Sequence, residues 1–171
     1  RDCNYYSKDI KKYLPQEAYL KYQNISDNDN YRIQNEAVKI AVESNNIDIN
    51  KYISNEFDGL INIAKANGDY SLCEENINLN SYCDYTLKYI YSKFLQGNQK
   101  GLYADMYLSV LIEMLGDEAI KANPNNPQEY FNDFYSHIKT VFEKNDEDFV
   151  KANYPKSYVL LKMTVLNESK E

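Results

Sequence analysis

Between Leu102 and Leu115 the only strongly polar side chains are Asp105, Ser109 and Glu113. Spaced by four, these three fall on one narrow stripe of a helix, and the rest of its circumference is apolar. A helix of that pattern must be enclosed on most sides. The other elements are therefore expected to pack around it, and Gly97 and Gly101 mark the break before it.

Elsewhere the apolar spacing is also helical, with Asn- and Asp-rich clusters as punctuation. A first segment, 7–23, is interrupted at Pro15. After a polar loop over 24–30, Ile33, Ala37, Ile40 and Ala41 share a face of a short helix. Ile53, Phe57, Leu60, Ile61 and Ala64 define a stronger one, with Asn67-Gly68 as a left-handed cap. Residues 69–81 read as a loop. The next helix, 81–95, sets Cys83, Leu87, Ile90 and Phe94 on one stripe, with Asp84, Lys88 and Ser92 opposite. Asn126, Pro127 and Glu129 have the spacing of an N-cap, N1 and N3, and announce a helix with an aromatic face: Phe131, Phe134, Tyr135, Ile138, Val141 and Phe142. The segment 158–166 carries enough β-branched residues for a strand, but it follows Pro155 as a helix would and has no evident partner strand, so helix is the reading. The expected fold is one all-α domain over 1–171, an irregular bundle of about six to eight helices built as hairpins around the helix near 102–115.

Composition excludes several functions. The chain has 26 acidic and 19 basic side chains and a formal charge of −7, whereas a surface that neutralises phosphates needs clustered lysine and arginine. Nucleic acid and anionic membrane surfaces are therefore disfavoured, and a basic protein is the electrostatically favoured partner. No apolar run approaches the roughly 18 residues that span a bilayer. The 22 asparagines and 17 lysines against two arginines are the pattern of an A/T-rich coding sequence.

Catalytic and metal constellations are sparse. Cys3, Cys73 and Cys83 include no CxxC pair, and His137 is the one histidine, which is too little for a zinc set; no cofactor is expected. Cys73 and Cys83 are close enough in sequence to close a short loop as a disulfide. Together with a chain that begins at Arg1, this favours an exported protein over a cytoplasmic one. His137 lies four residues after Asp133, the spacing of a base and its orienting carboxylate on one helix face. The pairs Glu74-Glu75 and Asp117-Glu118 and the run Asp146-Glu147-Asp148 are the other candidates for acid chemistry or cation binding, though none has the glycine-centred spacing of a calcium loop. Gly59, Gly68, Gly97, Gly101 and Gly116 are too scattered to cradle phosphate.

The stretch 118–130 resembles the junction between two tetratricopeptide repeats, with Ala119, Pro124 and Tyr130 at the family's offsets. The resemblance covers about 13 residues. Ile112 stands where a packing alanine belongs, and no second copy follows 34 residues away. What it implies is a helical-repeat scaffold, as an alternative to an ordinary helical domain.

Eighteen tyrosines and no tryptophan leave one further signal. Tyrosine joins large contact area to a polar tip, which suits binding surfaces. Tyr85, Tyr89 and Tyr91 on one helix, with Tyr103 and Tyr107 on the next, are the candidate patch, against the plainer reading that tyrosines fill the core. The expected function is a non-catalytic protein-binding domain, such as an inhibitor, an immunity-type protein or a surface adaptor. An enzyme or small-ligand site at His137 and Asp133 or a carboxylate cluster is the competing expectation.

Overall fold

A computed structural model describes residues 27–66, 69–70, 72–122 and 124–168. The segment 7–23 with its Pro15 break, Cys3 and the Asn67-Gly68 cap lie outside the described residues. Helices α1 (Asp27–Ser44), α2 (Ile49–Ala66), α3 (Glu74–Ser81), α4 (Asp84–Leu95), α5 (Leu102–Leu115), α6 (Pro127–Lys144), α7 (Glu147–Asn153), α8 (Pro155–Met163) and the short α9 (Val165–Glu168) follow in order, with a 3-10 turn at Gly116–Glu118. The fold is all-α, with no strand among the described residues, and the 158–166 region is helical. Two compact units divide between Thr86 and Leu87, inside α4.

In the first unit α1 starts at Asp27, within the stretch expected to be a loop, and its buried face is Gln34, Val38, Ala41 and Val42. Ile40 is exposed, so the expected face was rotated. Gln34 in the buried face explains the error, because a pattern of apolar letters skips it. The helix ends in a Schellman turn: Asn46 takes a left-handed φ of 50°, and the Ile47 N–H reaches back to the Val42 carbonyl at 3.0 Å. Helix α2 buries Ile49, Ile53, Phe57, Leu60 and Ile61, the stripe read from the sequence.

The expected loop at 69–81 is instead largely α3, which packs on α2. Its N-cap is Cys73, whose Sγ accepts from the Asn76 N–H at 3.4 Å, and Glu74 and Glu75 sit at the positive end of the helix dipole. Buried Asn78 donates its amide to the Glu56 carboxylate of α2 at 3.0 Å. The packing is close enough that Gly59 lies against the Glu75 side chain, where a Cβ would meet Cγ at 2.7 Å. Helix α3 also removes the expected disulfide: no bridge joins Cys73 to Cys83. A helix between them advances about 1.5 Å per residue, so its eight residues hold the two ends about 12 Å apart, beyond the roughly 7 Å that a bridge tolerates. Burial pushes the Cys73 thiol upward, and Cys83 is buried in a left-handed turn with φ 53°. Asp84 then opens α4, accepting from the Tyr31 hydroxyl at 2.5 Å and the Asn35 amide at 3.0 Å, both of α1.

The second unit is an aromatic core. Phe94 stacks on Phe131 with centroids 5.2 Å apart, and Tyr91 stacks on Phe134 at 6.4 Å. Helix α5 packs on α6 and α8, and α8 packs also on α7. The start of α6 is as expected, with the Asn126 side chain accepting from the Glu129 N–H at 2.9 Å. The Glu129 carboxylate returns to the Asn125 N–H at 3.0 Å. Gln128 stitches the end of α4 to this turn through the Phe94 carbonyl and the Gln99 N–H.

Candidate protein-docking face

The α5 helix buries Ala104, Met106, Tyr107, Val110, Leu111, Met114 and Leu115, which occupy one side of the cylinder. The opposite side is open. On it Leu102 and Ile112 are each 38% exposed, with Asp105 and Glu113 exposed beside them, whereas Tyr103, one turn before buried Tyr107 on the covered side, is 43% exposed at the start of the helix. The stripe expected to meet solvent does so, but the opening is wider than that stripe: α6 and α8 cover one side, and Leu102 and Ile112 flank the stripe in water. The stripe of Asp105, Ser109 and Glu113 marked the side that stays open, and the sequence did not mark how far the opening extends past it to Leu102 and Ile112.

The five tyrosines named from sequence have three fates. Tyr103, Tyr107 and Tyr89 form a row, with ring centroids 6.2 Å apart between the first pair and 6.1 Å between the second, the latter edge-on at 72°. Buried Tyr107 also meets Phe94 edge-on, which fixes the row to the core. The Lys93 ammonium lies 5.2 Å over the half-buried Tyr89 ring, and Tyr103 ends the row in solvent. Tyr91 is fully buried, donating its hydroxyl to the Lys156 carbonyl at 3.0 Å, so it is a core residue. Tyr85 belongs to the first unit, half-buried, its hydroxyl pushed upward by burial and by the Glu43 and Asp84 carboxylates.

The residues singled out for chemistry stand apart from one another. His137 and Asp133 are both exposed on α6 with no hydrogen bond between them. No group of three metal-ligating side chains occurs among the described residues. The carboxylate clusters act as helix caps. Asp146 caps α7, accepting from the Phe149 N–H at 2.7 Å, and Glu147 accepts from the Tyr158 hydroxyl at 2.6 Å, which with burial raises that phenol to about 12. Glu118 caps α8 from 39 residues away. Its carboxylate accepts from the Ser157 N–H at 2.9 Å, the Ser157 hydroxyl at 2.8 Å and the Lys156 N–H at 3.3 Å. The N-cap residue of α8, Tyr154, has no capping side chain, so a distant one takes its place. Burial is the larger influence on Glu118 and holds its carboxyl above the ordinary range despite those three donors.

Around the tetratricopeptide-like stretch, Tyr130 is buried and donates its hydroxyl to the Ile120 carbonyl at 2.7 Å. The helices that follow have 18, 7 and 9 residues, unlike the matched pairs of a repeat array. Comparison of the chain with known protein families, characterised proteins and solved structures found no match. No helix of the described residues is long and apolar enough to cross a membrane.

Proposed function

We propose that this chain is a non-catalytic protein-binding domain that docks a basic protein on the outward side of α5. The observation that carries the reading is the exposure of Leu102 and Ile112 on the outward side of a helix that also presents Asp105 and Glu113 there. Large apolar side chains left in water on either side of a charged stripe suit an interface that would cover them. The net charge of −7 favours encounter with a basic surface.

Affinity capture from the native source with mass spectrometry tests this, comparing the native chain with a Leu102→Ser, Ile112→Ser variant of unchanged thermal unfolding. The expected result is a basic protein retained by the native chain, released by salt and lost from the variant, because burying an apolar side chain of this size contributes about 2 kcal/mol. Identical retention by both chains overturns the reading. So does a measurable catalytic activity that His137→Ala abolishes.

A further inference from the structure

The outward residues of α5 have a spacing that bears on what docks there. Leu102, Asp105, Ser109 and Ile112 follow one another at intervals of three, four and three, the spacing of the seam along which one helix receives another. The two apolar members, Leu102 and Ile112, lie about 15 Å apart along the axis at 1.5 Å per residue, and the carboxylate of Asp105 and the hydroxyl of Ser109 lie between them. Resting on the docking reading above, we infer that the occupant is a single amphipathic helix of about three turns that carries apolar side chains against Leu102 and Ile112 and a lysine or arginine against Asp105. An extended segment fits less well, because its side chains on one face recur about every 6.6 Å and drift out of step with a seam of alternating three- and four-residue intervals.

Charge selects the partner from among helices. A second copy of α5, running antiparallel, would set Leu102 against Ile112 and Asp105 against Ser109. It would also bring the Asp105 carboxylates of both copies onto one seam and join two chains of charge −7. A basic helix removes both penalties and gives Asp105 a charge-assisted hydrogen bond.

The test uses the full chain and a fluorescently labelled synthetic peptide of about three heptads, leucine at the seam positions and lysine elsewhere, followed by anisotropy. Saturable binding is expected. It should weaken about tenfold or more with Ile112→Ser, which leaves the net charge unchanged. Asp105→Asn should weaken it as well, and so should raising ionic strength from about 0.05 to about 0.5 M. Ile112 and Asp105 are exposed, and matching circular dichroism checks that both variants fold. Binding that survives Ile112→Ser would be generic attraction to an acidic protein and overturns the inference. Equal binding of a peptide with glutamate in place of lysine overturns it too, as does self-association of the chain that Ile112→Ser abolishes. No binding of either peptide sinks the helical occupant while leaving the docking reading to the capture experiment.

Discussion

Replacing Glu118 by alanine removes three acceptor contacts at once, to the Ser157 N–H, the Ser157 hydroxyl and the Lys156 N–H. Loss of a helix cap costs about 1 kcal/mol, and Ser157 is fully buried, so its orphaned donors add about 1–3 kcal/mol of unmet hydrogen bonding. Against this, the carboxylate itself is costly to bury, as its raised pKa shows, and removing it returns part of the loss. The net expectation is a destabilisation of about 2 kcal/mol, or about 4–8 °C in unfolding temperature for a chain of this length. Urea denaturation followed by far-ultraviolet circular dichroism measures it. Glu118→Gln keeps one carbonyl acceptor and loses the charge, so about half the effect is expected.

The pH dependence of Glu118 has a definite sign. The folded state holds the proton of Glu118 more tightly than the unfolded chain does. Between the ordinary carboxylate pKa and the raised folded value, the native state therefore binds more protons, and stability from this group falls as pH rises. Its contribution is fully present below the unfolded pKa and lost as pH passes the folded one. The stability difference between the native chain and Glu118→Gln should accordingly shrink with rising pH across that window. A difference that stays flat, or an alanine variant with an unchanged urea midpoint, would refute the account of a buried remote cap.

Gly59→Ala should reverse sign with context: in the native chain the clash with the Glu75 Cγ outweighs the gain in helix propensity and costs about 1 kcal/mol, whereas in a Glu75→Ala background the same change stabilises by about 1 kcal/mol. A double-mutant cycle by urea denaturation reads both values, and additivity would mean the two side chains do not meet. Cys73 and Cys83 should not be joined to each other in the absence of reductant. Cys73 should react slowly with a thiol reagent and Cys83 only on unfolding, and a native Cys73–Cys83 bridge found by mass spectrometry would contradict α3.

Helix formation was legible because it is local. The spacing of Ile53, Phe57, Leu60 and Ile61 and the Asn126-Pro127-Glu129 signal depend on residues within one or two turns of each other, and both are found as read. Helix α3 was missed because its start relies on a cysteine cap and its burial on asparagines. Asn78 is polar by composition yet buried against Glu56, 22 positions earlier, a compensation no window of sequence displays.

The sequence by itself determined that the chain is helical, acidic and rich in aromatic side chains, because periodicity and charge are properties of neighbours along the chain. Only the tertiary structure decided how far each helix is covered and which residues at the margins are buried. That choice sent Tyr91 to the core and Tyr103 to the surface, turned Glu118 into the cap of α8, and left Leu102 and Ile112 in water on a helix whose sequence reads as buried. The physical reason is that burial is set by what packs across from a residue: the polar stripe of α5 fixes which side stays open, and the packed neighbours fix how far the cover reaches toward Leu102 and Ile112.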